Sequence, residues 1–85
     1  MKRAEAKSAL LAVLQSLELI SPSERADAEE GGKDIEFGGL GIDSMAVVDL
    51  CVGVEEKIGR ELRVEEIIDH PTVDLLAAHL AKSDA

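Results

Sequence analysis

Residues 37–58 read FGGLGIDSMAVVDLCVGVEEKI, and this stretch carries the clearest structural signal in the chain. A glycine-rich segment, which favours a turn, leads directly into apolar residues at helical spacing. Asp43 or Ser44 is the expected N-cap, and Gly59 is the expected left-handed residue that ends the helix. The stretch therefore predicts a turn that places the hydroxyl of Ser44 at the exposed start of a helix over residues 44–58.

The rest of the chain predicts two further helices and one short helical turn. Apolar residues recur at helical spacing before Pro22, which predicts a first helix over about residues 2–19. A short helical turn is expected near residues 64–69, and Thr72 is expected to cap a last helix. The predicted core face of this last helix consists of Val73, Leu76, Ala77 and Leu80. No stretch alternates apolar and polar residues for long enough to predict a strand.

The connection between the first two predicted helices is long and polar. No core face can be drawn through residues 22–34, so we expect a loop of more than 20 residues up to Asp43. Four apolar residues in its second half are expected to pack on the core: Ile35, Phe37, Leu40 and Ile42. The predicted fold is all-α, a small four-helix bundle with a short third helix and a long loop between helices one and two, formed by a single domain over residues 1–85.

Composition narrows the classes of partner. The chain has 85 residues, a formal net charge of −9 and one aromatic residue, Phe37, which disfavours binding to nucleic acid. An acidic surface suits basic protein partners instead. Glu5 and Lys7 interrupt any signal-peptide core, no apolar run approaches membrane-spanning length, and Cys51 has no second cysteine to pair with. We expect a cytoplasmic monomer that binds neither membrane nor nucleic acid.

The sequence shows no evident catalytic partner for Ser44. The G-x-S-x-G elbow of serine hydrolases is absent, and His70 and His79 are expected to be ordinary surface or capping residues. Neither the histidines nor Cys51 show the spacing of metal ligands. The expectation is a non-catalytic chain without a metal site, whose Ser44 is modified by another enzyme.

The helix that follows Ser44 has two apolar faces. One of them is the expected core face, formed by Val47, Leu50, Cys51, Val54 and Ile58. The opposite face carries Met45, Val48 and Val52, with Asp49, Glu55 and Glu56 around them. An apolar stripe that is rimmed by acids and points away from the core is a candidate docking surface for another protein.

The run LGIDSM at residues 40–45 resembles the D-S-L/M motif of acyl and peptidyl carrier proteins. The similarity continues in Glu55-Glu56 near the end of the helix. It extends through residues 62–76, where VEEI and PTV resemble the third helix and the start of the fourth in that family. The resemblance covers essentially the whole chain.

This resemblance implies that a phosphopantetheinyl transferase moves 4′-phosphopantetheine from coenzyme A onto Ser44. The thiol of the attached group would hold acyl or aminoacyl groups as thioesters. By the family pattern, Asp43 helps to position the site for the transferase and its metal ion. The outward face of the helix, with Met45, Val48, Asp49, Val52, Glu55 and Glu56, matches the positions where carriers meet partner enzymes. Those partners would be an acyl- or aminoacyl-loading enzyme and an acyltransferase or ketosynthase.

The sequence indicates the type of carrier less clearly than it indicates the family. Ile42 before Asp-Ser is more similar to polyketide-type carriers, and the chain starts with Met1 and ends soon after its last helix. We therefore expect a discrete carrier of a secondary-metabolite pathway, either polyketide or mixed with amino-acid units. Two alternatives stay open: an acyl carrier protein of fatty-acid synthesis, and a protein-interaction module that docks through the same helix without a prosthetic group.

Overall fold

The computed structural model describes residues 1–82, which contain five α-helices and one short 3-10 turn. The helices are α1 Arg3–Ser16, α2 Pro22–Glu30, α3 Ser44–Ile58, α4 Val64–Asp69 and α5 Val73–Lys82, and the 3-10 turn is Phe37–Leu40. Within those residues the extended structure is a single bridge between Glu36 and Thr72. The expected all-α class is therefore confirmed. No helix in this part of the chain is long and apolar enough to cross a membrane.

The core lies around α1, which contacts α2, α3 and α5. Its largest fully buried side chains are Leu10, Leu11, Leu14, Leu50, Leu76, Leu80, Val54 and Val73. The predicted core face of α5 is confirmed, because all four of its residues are buried. Helix α3 packs closely on α1 at Gly53, where an added β-carbon would lie only 2.7 Å from Val13 Cγ1. The missing side chain at Gly53 thus sets the distance between α3 and the core.

The first half of the predicted long loop contains a helix, so that part of the prediction was wrong. Helix α2 begins with a capping box: Ser21 Oγ accepts a hydrogen bond from Glu24 N at 3.1 Å, and Glu24 Oε1 accepts one from Ser21 N at 2.9 Å. Pro22 at the first helical position has a φ that suits a helix start. Only Ala28 of α2 is buried. The helix is therefore fixed by its cap rather than by an apolar face, and it adds a fifth helix to the predicted bundle.

The second half of the connection packs on the core as predicted. Ile35 and Phe37 are buried, and Leu40 and Ile42 are partly buried against the core. Backbone hydrogen bonds also join this part to the turn between α4 and α5: Phe37 N donates to Pro71 O, and Val73 N donates to Ile35 O, both at 2.9 Å. Residues 34–37, called the anchor segment below, are therefore held by both apolar burial and backbone pairing.

The ends of the helices follow the predicted signals with one exception. The bounds of α3 and α4 agree with the prediction, and Thr72 Oγ1 accepts a hydrogen bond from Leu75 N at 3.1 Å as the cap of α5. Helix α1 ends at Ser16 rather than near Leu19. Glu18 adopts a left-handed φ of 60°, and Leu19 N donates to Leu14 O at 2.9 Å. This closing hydrogen bond satisfies a terminal carbonyl of α1 before Pro22 is reached.

Candidate functional site

The turn before α3 brings the chain from the core to the surface. Phe37 is buried at the start of the 3-10 turn, and Gly41 at its end has φ 65° and ψ 32°. This left-handed conformation is strained for a residue with a β-carbon, which explains the need for glycine there. Asp43 then takes an extended conformation, and Ser44 is the first residue of α3. The predicted delivery of Ser44 to a helix start agrees with this geometry.

Asp43, rather than Ser44, is the cap of α3. Its Oδ1 accepts a hydrogen bond from Ala46 N at 2.8 Å, and its backbone carbonyl accepts one from Val47 N at 3.0 Å. The Ser44 hydroxyl is consequently not used for capping. The Ser44 side chain is exposed, and its Oγ has no hydrogen-bond partner among residues 1–82. The Ser44 Oγ is thus accessible at the surface.

The surroundings of Ser44 fit a covalently attached phosphate group. The amides of Ser44 and Met45 have no acceptor within residues 1–82, and they lie at the positive end of the α3 dipole. Such amides favour an anion at a helix start. The neighbouring turn leaves room, because a β-carbon added at Gly38, Gly39 or Gly41 would meet nothing within 4 Å. In this part of the chain no side chain is hydrogen-bonded to the hydroxyl as a base would be.

The outward face of α3 is apolar and acidic. Met45 is 75% exposed, Val48 52% and Val52 49%, and the side chains of Asp49 and Glu56 are exposed beside them. Glu55 differs from these two acids, because its Oε2 accepts a hydrogen bond from Leu62 N at 2.8 Å. Five of the six predicted docking residues therefore lie exposed around one surface, whereas Glu55 also fixes the connection from α3 to α4.

Cys51 lies on the inner face of α3 and is not a reactive residue. Leu50, Cys51 and Val54 are buried in the core, as the helical pattern predicts. Burial raises the pKa of the Cys51 thiol, and the nearby carboxylates of Glu55, Glu66 and Glu65 raise it further. Because the thiolate is the reactive form, Cys51 is a structural residue rather than a second attachment point.

A polar cluster centred on Glu66 was not found by the sequence reasoning. Glu66 Oε1 lies 2.8 Å from His79 Nε2 and 3.0 Å from Arg60 Nη2, and Glu66 Oε2 accepts a hydrogen bond from Arg63 N at 2.7 Å. The ring of His79 stacks on that of His70 with centroids 4.1 Å apart. Both histidines are partly buried rather than ordinary surface residues, and His70 is the C-cap residue of α4, which is one of the two expected roles. The cluster joins α4 to α5 and thereby supports the turn that holds the anchor segment.

The ionisation of Glu66 reflects these contacts. Burial acts to raise the pKa of the Glu66 carboxyl, but the Arg63 amide, the His79 ring and the Arg60 guanidinium outweigh it and lower the pKa to about 2. The carboxylate is therefore charged throughout the physiological range. His79 lies 13 residues from Glu66 along the chain, and no regular spacing links the two in the sequence.

Comparison with known proteins agrees with the geometry of this site. Residues 11–80 match the model of the family described as phosphopantetheine attachment site. The chain belongs to this family. It is thus an acyl or peptidyl carrier protein, and the group that the family attaches covalently is 4′-phosphopantetheine. The exposed hydroxyl and the free amides at the start of α3 fit this group, as described above.

Two proteins to which the chain is similar are a peptide synthetase and a polyketide synthase. Nonribosomal peptide synthetase 2 of Gibberella zeae is 36% identical over 74% of this chain and 1% of its own length. The phenolphthiocerol synthesis polyketide synthase type I Pks15/1 of Mycobacterium bovis is 36% identical over 86% of this chain and 4% of its own length. The chain therefore spans only a small part of the relatives that it matches. No solved structure matches the chain significantly.

Proposed function

We propose that Ser44 Oγ is the attachment point of 4′-phosphopantetheine in this carrier. The observation that supports this assignment is the exposed, unpartnered hydroxyl directly after Asp43, the residue that caps α3. When attached, the group supplies a thiol that holds acyl or aminoacyl cargo as a thioester. The carrier itself is a substrate and partner of enzymes, so the general base and the metal ion belong to the phosphopantetheinyl transferase.

Three residues of this chain have defined roles in the attachment. Ser44 supplies the oxygen, and the amides of Ser44 and Met45 stabilise the resulting phosphodiester anion at the helix start. A negative charge at an exposed helix N-terminus typically gains about 0.3–1 kcal/mol. Asp43 holds the first turn of α3 through Ala46 N and presents its second carboxylate oxygen to the transferase. This placement supports the role that the family pattern implies for Asp43.

The proposed partner face is the outward surface of α3. Met45, Val48 and Val52 supply apolar contact area there, and Asp49 and Glu56 supply charge that attracts a basic partner. Glu55 belongs to the proposed face as well. Because its carboxylate also holds Leu62 N, a change at Glu55 would disturb the α3–α4 connection along with the face. Glu56 is therefore the cleaner probe of charge.

We further propose that the carrier serves a cytoplasmic secondary-metabolite pathway, polyketide or mixed with amino-acid units. The proposal is supported by Ile42 before the Asp-Ser pair and by the relatives, whose names are those of a peptide synthetase and a polyketide synthase. Its partners would then be an acyl- or aminoacyl-loading enzyme and an acyltransferase or ketosynthase. Mass spectrometry of the acyl group on carrier isolated from its own host tests this assignment. A straight-chain fatty acyl group would favour the alternative, fatty-acid synthesis.

Attachment is tested by intact mass after incubation with coenzyme A, magnesium and a broad-range transferase. The wild-type carrier and Ser23→Ala, which removes another exposed serine, should both gain one phosphopantetheine mass. Ser44→Ala should gain none. If a transferase that is active on another carrier leaves the wild type unchanged, the chain is a plain interaction module and the proposal fails.

The partner face is tested with charge substitutions at two exposed apolar positions. Val48→Asp on α3 should slow loading by the cognate enzyme, whereas Leu75→Asp on α5 should not, although Leu75 is equally exposed. Helical circular dichroism should be unchanged in both variants, because neither side chain is in the core. Equal loading rates for Val48→Asp and the wild type would reject this surface.

A further inference from the structure

Asp34 connects two distant parts of the carrier through one oxygen atom. Its Oδ1 accepts hydrogen bonds from Ile35 N and from Asp74 N, both at 2.9 Å. The first amide lies in the anchor segment, and the second lies in the first turn of α5, 40 residues away. A single carboxylate thereby ties the beginning of the anchor segment to the start of a core helix.

The contact at Asp34 is the first of three that run along the anchor segment. It is followed by Val73 N to Ile35 O and by Phe37 N to Pro71 O. The α5 end of this connection is itself fixed, because Asp74 forms an ion pair with Lys7 Nζ of α1 at 2.7 Å. Asp34 thus attaches the segment to a rigid part of the molecule.

Asp34 also completes the N-terminus of α5. Thr72 Oγ1 accepts Leu75 N, which leaves Asp74 N without an acceptor from within the helix. Asp34 supplies that acceptor from another part of the chain, with a negative charge that suits a helix start. The bond therefore stabilises both of the elements that it joins.

The segment that Asp34 fixes leads directly to the modification site. Beyond Phe37 the chain forms the 3-10 turn, passes through left-handed Gly41 and reaches Asp43 and Ser44. Residues 38–41 of this turn are exposed or partly exposed, and they immediately precede the segment with Asp43 and Ser44. Because Phe37 begins the turn, a change in the anchor segment would alter the position from which the turn starts.

We propose that Asp34 is a positioning residue for the modification of Ser44, acting through the two amides that its carboxylate accepts. The proposal rests on Ser44 being the attachment point. Asp34 does not touch the reacting atoms; it holds the turn over residues 37–43 in the conformation that the transferase recognises. Its loss should therefore weaken recognition of the carrier more than the rate of transfer once the carrier is bound.

Three variants separate the hydrogen bonds of Asp34 from its charge. Asp34→Ala removes both, Asp34→Asn keeps an acceptor oxygen without the charge, and Glu36→Ala removes a charge of the same segment. The Glu36 side chain accepts none of these bonds. We expect kcat/KM of the transferase to fall about tenfold for Asp34→Ala, mainly through KM, as for the loss of one hydrogen bond to a charged group. Glu36→Ala should stay within about twofold of the wild type, because it retains both hydrogen bonds and the charge of Asp34. Asp34→Asn, which retains both hydrogen bonds but loses the charge at the start of α5, should fall between the control and Asp34→Ala.

Amide hydrogen exchange supplies a readout that does not depend on the transferase. In Asp34→Ala the amides of Ile35, Phe37, Val73 and Asp74 should lose protection, while that of Leu50 in the core should keep it. Loss of protection at Leu50 as well would show general destabilisation and overturn the positioning role. An unchanged KM for Asp34→Ala, or an Asp34→Asn variant as impaired as Asp34→Ala, would also overturn it. A wild-type carrier that gains no mass would instead reject Ser44 as the attachment point.

Discussion

The two halves of the connection between α1 and α3 are held in opposite ways. Residues 22–30 form a regular helix, yet they bury only Ala28 and meet α1 through polar contacts such as Ser8 Oγ to Glu29 Oε1 at 3.0 Å. Residues 34–42 have little regular structure, yet they bury Ile35 and Phe37 and pair with the α4–α5 turn. The irregular half is the one attached to the core, and it is the one that leads to Ser44.

This difference shows that regular secondary structure and firm attachment have separate causes. A capping box and a proline at the first helical position suffice to form α2 locally, because they satisfy backbone amides within a few residues. Attachment to the core requires apolar burial or hydrogen bonds to another element. We therefore expect α2 to open more readily than the anchor segment, although only α2 is a helix.

The largest expected effect is at Phe37, in the irregular half. Phe37→Ala should lower the free energy of unfolding by about 3–5 kcal/mol, because it leaves a cavity where the ring was buried. Urea unfolding measures the loss. Ala28→Gly in α2, which removes the only buried side chain of that helix, should cost about 1 kcal/mol. Similar losses in the two variants would contradict the difference between the halves.

Acidification should loosen the α4–α5 turn, to which the irregular half is hydrogen-bonded, through Glu66. Because the folded-state pKa of Glu66 is lowered from 4.5 to about 2, its stabilisation is complete above pH 4.5 and is lost as the pH falls toward 2. We expect Glu66→Gln to be less stable than the wild type by about 1–2 kcal/mol at neutral pH, after allowance for solvent screening.

The stability difference between wild type and Glu66→Gln should shrink between pH 4.5 and pH 2, as measured by urea unfolding at each pH. Glu65→Gln, a neighbouring change on the exposed side of α4, is the control and should show a much smaller difference. A gap that stays constant over this range would mean that the Glu66 cluster does not stabilise the α4–α5 turn through its charge.

Loss of the α2 cap should have a smaller and local effect. Ser21→Ala removes the acceptor for Glu24 N and should cost about 1 kcal/mol. Exchange should accelerate at the amides of α2, whereas modification of Ser44 should keep its wild-type rate. Ser23→Ala, whose hydroxyl does not cap the helix, serves as the control. If Ser21→Ala slows modification, α2 and the site are coupled, and the two halves are less independent than the structure indicates.

The smallest expected effect is at the boundary where the connection begins. Glu18 has a left-handed φ of 60°, which glycine adopts without strain. Glu18→Gly should therefore raise the free energy of unfolding by about 0.5 kcal/mol, since relief of strain exceeds the added chain entropy. Thermal unfolding detects this change, and Glu18→Val should act in the opposite direction because a β-branched side chain tolerates this conformation poorly. A destabilised glycine variant would contradict the expectation.

Much of the fold follows from local patterns that the sequence displays. Helix α3 is predicted to the residue because Asp43 supplies a cap, Gly59 supplies a left-handed end at φ 73°, and the apolar residues between them keep helical spacing. Helix α2 was missed because the prediction relied on an apolar core face, which this helix lacks. Its signal was the capping box at Ser21 and Glu24, which acts without burial.

The candidate site likewise has some features that local sequence patterns predict and others that they do not. The sequence places Ser44 at a helix start beside an apolar, acid-rimmed face, and the exposure of Met45, Val48 and Val52 agrees with it. It gives no sign that Asp34 accepts Asp74 N or that Glu66 meets His79, because these partners are 40 and 13 residues apart. No spacing rule links side chains that meet only after helices have packed.

By itself, then, the sequence determined the positions of α1, α3, α4 and α5 and the exposed serine, because caps, breakers and helical periodicity act over a few residues. Only the tertiary structure decided that Asp34 accepts a hydrogen bond from Asp74 N and that Glu66 meets His79. Those contacts depend on α5 and the α4–α5 turn packing beside the anchor segment. A hydrogen bond between residues that are distant in the sequence forms only after packing of the core has brought them together, because that approach costs chain entropy.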